Sequence, residues 1–221
     1  MSKPKTLAVF AVIVALLFAL TNLGSAEAKK PFKPAQRAAV SGTYMVGDST
    51  TQRVYEKLQA RHPDWNIDGR GGTPIRALPS RLEFYLAENP APRYFIQALG
   101  TNNSSDPDWT KARLVAAINK LPAETTVYLM LVVRAGDFQN DKDANLIEYN
   151  RFSRELSKER PNTFVINWRN TVLSDPTLNN RTGLSSLLED GTHQTGSTFG
   201  TQTPGPGVDT YIRLIEEKVP A

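Results

Sequence analysis

The sequence predicts an α/β protein with a parallel β-sheet, built as a single domain. Short apolar segments alternate along the chain with longer segments of helical spacing, and this alternation is typical of βαβ units. The apolar segment at residues 126–133 is continuous, as expected for a central parallel strand that helices cover on both faces. With 221 residues and no cysteine, the chain is long enough for one domain that depends on its apolar core rather than on disulfides.

Five strands and five helices are expected along the chain. We predict strands at residues 43–46, 66–68, 94–99, 126–133 and 163–168. We predict helices at residues 50–61, 75–88, 109–121, 146–158 and 208–218. The residues between the fifth strand and the last helix are expected to form loops, and the Gly- and Pro-rich segment 198–207 is expected to be flexible.

Individual residues mark the faces and ends of these elements. Val54 and Leu58 have the spacing of one face of the first helix. Gly100 closes the third strand, Pro122 ends the third helix, and Pro161 follows the fourth helix. Because ligands bind outside the carboxyl ends of parallel strands, the residues that directly follow each strand are the first candidates for a functional site.

The first 28 residues have the three parts of a secretory signal peptide. These parts are a charged start with Lys3 and Lys5, an apolar run over residues 7–20 and an A-x-A cleavage motif that ends at Ala28. The apolar run is shorter than the roughly 20 residues of a membrane-spanning helix, and an uncleaved amino-terminal anchor is the alternative. The sequence therefore predicts export, to a secreted, periplasmic or envelope-associated location.

The remaining domain boundaries follow from composition. Residues 29–41 are basic and contain two prolines, which is typical of a linker, and residues 42–221 are assigned to the folded domain. The formal net charge is +4, without the clustered basic face of a nucleic-acid-binding protein. We therefore expect no nucleic-acid partner, and membrane contact only through the signal segment if it is not cleaved.

The segment Asp190-Gly191-Thr192-His193 places a carboxylate three residues before an imidazole. A tight turn would bring this carboxylate to Nδ1 of His193, fix the tautomer and leave Nε2 free to accept a proton, as a catalytic base requires. An Asp-Gly turn followed by an exposed histidine would have the same sequence without a function. The other histidine, His62, lies in a predicted surface loop between a helix and a strand.

Ser49 directly follows the first predicted strand, in Gly47-Asp48-Ser49. The glycine permits a sharp strand-to-helix turn, and the free N–H groups at the start of the following helix are suited to a developing oxyanion. The alternative is that Asp48 or Ser49 simply caps the helix. Position 51 is threonine, so the G-x-S-x-G motif is absent.

Two further loops complete a candidate site. Asn102 follows the third strand, and its side-chain amide could donate a hydrogen bond at the same sheet edge as Ser49. Gly71 and Gly72 follow the second strand, and a backbone N–H of either could point into the same space. Asn and Gly are also ordinary turn residues, so each feature alone has a purely structural explanation.

Taken together, these segments resemble the SGNH/GDSL hydrolases. That family is named for a Ser in Gly-Asp-Ser after the first strand, a Gly after the second, an Asn in Gly-x-Asn-Asp after the third and a late Asp-x-x-His. The corresponding residues here are Ser49, Gly72, Asn102, Asp190 and His193, in the same order along the domain. The resemblance implies a three-layer αβα sandwich with a flavodoxin-like, parallel five-stranded sheet.

The resemblance also implies a reaction and a role for each residue. Ser49 is the nucleophile, His193 is the general base and then the general acid, and Asp190 orients His193. The oxyanion hole consists of the backbone N–H groups of Ser49 and Gly72 and the side chain of Asn102. The expected activity is that of an exported serine esterase on small acyl esters, such as O-acetyl groups of a glycan.

The sequence departs from the family pattern at several positions. Thr50 replaces the leucine often found after the serine, and Asn103 replaces the aspartate of Gly-x-Asn-Asp. Gly71 is the alternative to Gly72 as the glycine of the oxyanion hole. The Gly/Pro/Thr-rich loop between His193 and the last helix is longer than expected, and could cover the site or shape the choice of substrate.

Two weaker features concern the substrate pocket and metal binding. Trp109 follows the loop of Asn102 and either lines a substrate pocket or packs at a helix start. Residues 137–148 have acidic side chains at four positions of a calcium loop, but Lys142 stands where glycine is required. With no phosphate-binding glycine loop, dinucleotide fingerprint or metal-ligand cluster in the sequence, we expect neither a metal nor a cofactor.

Two alternatives to an esterase stay open. An O-acyltransferase would use the same triad and acyl-enzyme but pass the acyl group to a glycan hydroxyl instead of water. A non-catalytic envelope-binding module could keep the fold without the reaction. Lysophospholipase and thioesterase activities also stay open, so the expected partner is an acyl ester or an acylated glycan or lipid.

Overall fold

The computed structural model describes residues 42–103, 111–134, 144–200 and 202–220. Within these residues, β-strands alternate with α-helices along the chain. The strands are β1 Thr43–Gly47, β2 Asn66–Gly69, β3 Tyr94–Ala98, β4 Thr126–Met130 and β5 Thr163–Ile166. The helices are α1 Ser49–Arg61, α2 Leu78–Glu88, α3 Lys111–Ile118, α4 Ala144–Glu159, α5 Trp168–Leu173 and α6 Gly207–Glu216.

The strands form one parallel sheet in the order β2-β1-β3-β4-β5. This is the flavodoxin-like order, so the predicted sheet is confirmed. Gly47 at the end of β1 lies in register with Gly69 of β2 and Ala98 of β3. The carboxyl ends of these three strands are therefore level, and the loops that follow them share one edge of the sheet.

Alternate residues of each strand face opposite sides of the sheet and build two apolar cores. Met45 and Ile96 belong to the core that includes buried residues of α1, α5 and α6. Tyr44 and Phe95 belong to the core that includes buried residues of α2, α3 and α4. The sheet is thus covered on both faces, which gives the expected three-layer αβα sandwich.

The helix α5 was not predicted. The sequence pattern places Trp168 at the end of the fifth strand and loops after it, but β5 ends at Ile166 and Trp168 begins α5. Trp168 and Val172, four residues apart, are both buried. Six residues are too few to show a helical period in the sequence, so the loop expectation was wrong for these residues.

Several other boundaries also differ from the prediction by a few residues. The segment 75–88 divides into a 3-10 turn, Ile75–Ala77, and α2, which has Pro79 in its first turn. Proline is tolerated there because the first N–H groups of a helix have no intrahelical partner. The strand β4 ends at Met130 rather than at residue 133, although the next three residues are still buried.

The amino-terminal assignments stay predictions. Residues 1–41, which carry the predicted signal peptide and linker, lie outside the described residues. Among the residues that are described, no helix is both long and apolar enough to cross a membrane.

Candidate active site

The turn from β1 into α1 presents Ser49 as the first residue of the helix. Asp48 is the N-cap: its Oδ1 accepts hydrogen bonds from the backbone N–H of Thr50 at 3.0 Å and from the hydroxyl of Thr50 at 2.9 Å. A side chain at position 47 would place its Cβ 1.8 Å from Oγ1 of Thr51, so only glycine fits there. The capping function therefore falls to Asp48, which leaves the hydroxyl of Ser49 for other contacts.

A tight turn brings the carboxylate of Asp190 to the ring of His193. Oδ2 of Asp190 lies 2.7 Å from Nδ1 of His193, and Oδ1 accepts the backbone N–H groups of Thr192 at 2.9 Å and of His193 at 2.7 Å. Gly191 has a φ of 80°, a conformation that favours glycine. Because an ionised carboxylate only accepts hydrogen bonds, Nδ1 carries the proton and Nε2 is free to accept one.

The free nitrogen of this imidazole meets the serine. Nε2 of His193 lies 2.8 Å from Oγ of Ser49. Asp190, His193 and Ser49 therefore form one continuous chain of hydrogen bonds, and the structure brings together the three residues that the sequence suggests as a catalytic set.

Hydrogen bonding keeps Asp190 ionised. Burial raises the pKa of its carboxyl, but the hydrogen bonds from the side chain and backbone of His193 and from the N–H of Thr192 outweigh burial and lower the pKa of Asp190 to about 2. The carboxylate is therefore present at neutral pH, where it can stabilise a positively charged imidazolium.

Asp48 lies in the opposite electrostatic environment. It is fully buried, and burial raises the pKa of its carboxyl, while the hydrogen bonds from Thr50 and Thr101 lower that pKa by less. Burial therefore raises the pKa of Asp48, directly beside Ser49, whereas hydrogen bonding lowers the pKa of Asp190.

The two other predicted loops contact each other at the same sheet edge. Nδ2 of Asn102 donates to the carbonyl of Thr73 at 3.3 Å. The residue before Thr73, Gly72, has a φ of 68°, and a Cβ on Gly71 would lie 2.9 Å from Oε1 of Gln52. Which glycine amide faces an oxyanion, and the role of the Asn102 side chain, stay predictions.

A buried arginine that sequence reasoning missed fixes the ends of β1 and β2. Arg81 of α2 donates to the carbonyl of Gly47 at 2.9 Å and to Oδ1 of Asp68 at 2.8 Å. The backbone N–H of Arg70 also donates to the carbonyl of Gly47, at 3.1 Å. No sequence signal distinguishes Arg81 from a surface residue of an amphipathic helix, because its partners come from other segments.

The loop between His193 and α6 runs along the helix that begins with Ser49. The hydroxyl of Ser197 donates to the carbonyl of Arg53 at 3.1 Å, and the hydroxyl of Thr198 donates to Oε2 of Glu56 at 2.7 Å. These two hydrogen bonds hold the loop against α1, the helix that begins with Ser49. A role of this loop in substrate choice stays a prediction.

The remaining candidates lie away from this cluster or outside the described residues. His62 follows α1, stacks on Trp65 with ring centroids 4.0 Å apart and lies 3.1 Å from Oε1 of Glu216. Trp109 and most of the segment 137–148 lie outside the described residues. Within the part of the chain that the structure describes, no group of three or more His, Asp or Glu side chains could hold a metal ion.

Comparison by sequence and by structure gives different results. No protein-family model matches the sequence, and no curated protein matches it. Among solved structures, the catalytic domain of peptidoglycan O-acetyltransferase A from Streptococcus pneumoniae, with a methylsulfonyl adduct, is 19% identical, with a TM-score of 0.62 over 81% of this chain and 93% of that one. A lipolytic protein of the G-D-S-L family from Veillonella parvula is 16% identical, with a TM-score of 0.62 over 80% and 96%.

A third match is a catalytic mutant of an acetylxylan esterase from Geobacillus stearothermophilus. It is 17% identical, with a TM-score of 0.50 over 82% of this chain and 95% of that one. The chain therefore has the fold of the SGNH/GDSL hydrolases, as its sequence motifs imply. At these identities the likeness concerns the fold, and the function has to be argued from the site's own residues.

Proposed function

We propose that this protein is a serine hydrolase of small acyl esters, with Ser49 as nucleophile, His193 as general base and Asp190 as the carboxylate that orients the base. The observation that carries the proposal is the chain of contacts from Oδ2 of Asp190 to Nδ1 of His193 at 2.7 Å and from Nε2 to Oγ of Ser49 at 2.8 Å. A nucleophile, a base and a group that orients the base lie within hydrogen-bond reach, which is the arrangement that nucleophilic catalysis needs.

The first half of the reaction forms an acyl-enzyme. Oγ of Ser49 attacks the ester carbonyl carbon while its proton moves to Nε2 of His193, and the π electrons of the carbonyl move to its oxygen. When this oxyanion collapses, the bond to the alcohol oxygen breaks, and His193 gives its proton to the leaving oxygen. The products are the acyl ester of Ser49 and the free alcohol, while the charge of Asp190 stabilises the transient imidazolium.

The second half transfers the acyl group to an acceptor. Water loses a proton to His193, attacks the acyl carbon and releases the carboxylic acid, and Ser49 regains its proton. A sugar hydroxyl in place of water would give an acylated sugar by the same steps. The hydrolase and the O-acyltransferase therefore share the site, and differ in which acceptor reaches the acyl-enzyme.

We assign the binding of the oxyanion to three hydrogen-bond donors: the backbone N–H groups of Ser49 and Gly72 and Nδ2 of Asn102. The N–H of Ser49 belongs to the first turn of α1, where free N–H groups and the positive end of the helix dipole favour negative charge. The amide of Asn102 donates to the carbonyl of Thr73. A small rotation would exchange that bond for one to the oxyanion, where the developing charge makes it stronger.

Acetyl groups on an extracellular glycan are the substrate class that we favour. The signal-peptide pattern of residues 1–28 supports export, which would bring the enzyme to such glycans. Two proteins with the same fold are a peptidoglycan O-acetyltransferase domain and an acetylxylan esterase, and their names agree with this choice.

Hydrolysis of p-nitrophenyl acetate by the full-length chain tests the reaction. We expect the wild type to release p-nitrophenolate above the background rate and Ser49→Ala to release none above it. Ser80→Ala, on the exposed side of α2, is the matched control and should retain the wild-type rate. Equal rates for the wild type and Ser49→Ala would refute the proposal.

The acceptor is identified by a product analysis. With an acetyl donor and an oligosaccharide present together, a hydrolase yields free acetate and a transferase yields acetylated oligosaccharide. A folded wild type that gives neither product from p-nitrophenyl acetate or from acetylated glycans would favour a binding module instead.

A further inference from the structure

We propose that the buried ion pair between Arg53 and Glu189 positions the Asp190–His193 turn over Ser49. The inference rests on the proposed function, because it assigns a role to residues around that site. Neither residue of the pair touches the reacting atoms, so both would act as positioning residues.

The pair joins the two elements that carry the reacting groups. Arg53 lies one helical turn after Ser49 on α1, on the same face of the helix. Glu189 directly precedes Asp190. Nη1 of Arg53 donates to Oε1 of Glu189, which links two segments 136 residues apart.

The ion pair is shielded from water on both sides. The side chain of Arg53 is 9% exposed and that of Glu189 is 1% exposed. Oε2 of Glu189 accepts the backbone N–H of Thr203 at 3.2 Å, and a Cβ on Gly200 would lie 2.5 Å from the guanidinium of Arg53. The loop backbone therefore lies directly over the pair, and each buried charge depends on its partner because water cannot replace it.

The Asp190–His193 turn is the tip of a short hairpin. The backbone N–H of Glu189 donates to the carbonyl of His193 at 2.9 Å, and Leu188 pairs with Gln194 in an antiparallel bridge. Arg53 holds the base of this hairpin against α1. Any shift of the hairpin along α1 would therefore change the 2.8 Å contact between Nε2 of His193 and Oγ of Ser49.

Two variants remove one partner while keeping its shape. Glu189→Gln retains the size of the side chain without its charge, and Arg53→Met retains the apolar stem without the guanidinium. Because a displacement of about 1 Å can cost about 10²-fold in rate, we expect kcat to fall about 10- to 100-fold. KM should stay within about threefold of the wild-type value, since only the reacting groups move.

Two further variants separate positioning from stability. Lys57→Met, one turn further along α1, removes an exposed ion pair to Asp209 at 3.2 Å and should retain the wild-type kcat. The double variant Arg53→Met/Glu189→Gln leaves no buried charge unpaired, so we expect it to regain thermal stability but not kcat. If both stability and kcat return in the double variant, the pair is only structural and the proposal is overturned.

A measurement that needs no activity completes the test. The chain has two histidines, so His62→Gln leaves His193 as the single imidazole in the NMR spectrum. We expect a slowly exchanging signal for the Nδ1 proton bonded to Asp190, and its loss in the folded Glu189→Gln protein. An unchanged signal together with a kcat within about twofold of the wild type would overturn the positioning role. If the wild type shows this signal but no esterase activity, and Glu189→Gln abolishes the signal, the positioning role is supported and the proposed function is refuted.

Discussion

Nε2 of His193 lies 2.8 Å from Oγ of Ser49, although 144 residues separate the two in the chain. The turn at the carboxyl end of β1, a strand with a neighbour on each side, places Ser49, and a hairpin that follows the last strand places His193. The sheet therefore fixes the position of Ser49, and the ion pair between Arg53 and Glu189 links the hairpin of His193 to α1. Single substitutions in these loops can therefore test the site without altering the sheet.

The rate of ester hydrolysis should rise with pH between about pH 5 and 8, because a histidine that serves as the general base must be neutral to accept the proton of Ser49. The pKa of Asp190 is about 2, so its carboxylate stays ionised over that range and adds no second step. A profile of kcat/KM from about pH 5 to 9 measures this, and a flat profile would count against His193 as the base.

Asp190→Asn should lower kcat by up to about 10⁴-fold, because an amide neither holds the required tautomer nor stabilises the imidazolium. It should also change the response to acid. The pKa of Asp190 in the folded protein, about 2, lies below the ordinary value of 3.8, so the carboxylate stabilises the fold above about pH 4 and this contribution is lost as the pH falls through 2.

The acid unfolding of Asp190→Asn should therefore be less steep than that of the wild type between about pH 4 and 2. The difference should be small, because the Asp190 side chain is 49% exposed and its interactions are screened by water. Circular dichroism at low salt measures both unfolding curves. Two curves of identical shape would show that the hydrogen bonds to Asp190 do not lower its pKa.

Asn102→Ala should lower kcat by about 10²–10³-fold, the usual cost of one lost oxyanion-hole donor. KM and thermal stability should change less than kcat, because a neutral hydrogen bond such as the one to the carbonyl of Thr73 at 3.3 Å contributes only about 1 kcal/mol to stability. Asn89→Ala is the control, since the amide of Asn89 also donates to a carbonyl, that of Tyr85 at the end of α2. Equal kcat values for the two variants would remove Asn102 from the oxyanion hole.

Asp48→Asn should change how stability depends on pH. Burial raises the pKa of Asp48 above its ordinary value of 3.8, so protonated Asp48 stabilises the folded protein and that stability is lost as the pH rises from about 4 through the raised pKa. The amide is neutral at every pH and keeps an oxygen that can accept the N–H of Thr50.

Urea unfolding of both proteins at several pH values measures this difference. The free energy of unfolding of the wild type, relative to that of Asp48→Asn, should decrease as the pH rises through that window. Parallel curves for the two proteins would show that folding does not raise the pKa of Asp48.

Gly47→Ala should destabilise the fold by about 2 kcal/mol or more, since overpacking in a close contact typically costs 1–3 kcal/mol. Its Cβ would lie 1.8 Å from Oγ1 and 2.5 Å from Cβ of Thr51, so α1 would have to move. Gly71→Ala is the matched control, because its Cβ would meet only Oε1 of Gln52, the far end of a flexible side chain. Urea unfolding compares them, and equal losses would contradict the close packing of α1 on β1.

Much of the fold could be predicted because the sheet leaves a direct pattern in the sequence. The apolar segments of β1, β3 and β4 become strands that are almost entirely buried, and glycines stand at the ends of β1 and β2. Trp168 and Val172 show where this reasoning stops, since α5 is too short to give a period. Within a continuous apolar run, the end of β4 at Met130 depends on its pairing with β5, which composition does not reveal.

The candidate site was predictable where its chemistry is local. Asp190 and His193 are three residues apart, and Ser49 follows a recognisable strand end, so each is visible in a short segment. Arg53 and Glu189 are not visible in this way. Their burial depends on a loop that crosses α1. From the sequence alone, charged residues on a helix or in a loop are expected to be solvent-exposed.

The most direct test of the account is the reaction of the full-length chain with a fluorophosphonate, followed by intact-mass and peptide analysis. Such reagents phosphonylate a serine whose proton a neighbouring base can accept, so the reaction needs no knowledge of the natural substrate. The account predicts a single adduct on Ser49, no adduct in Ser49→Ala and a much slower reaction in His193→Ala. A folded wild type that gains no mass, or an adduct on a different serine, would contradict the claim that His193 activates Ser49 as a nucleophile.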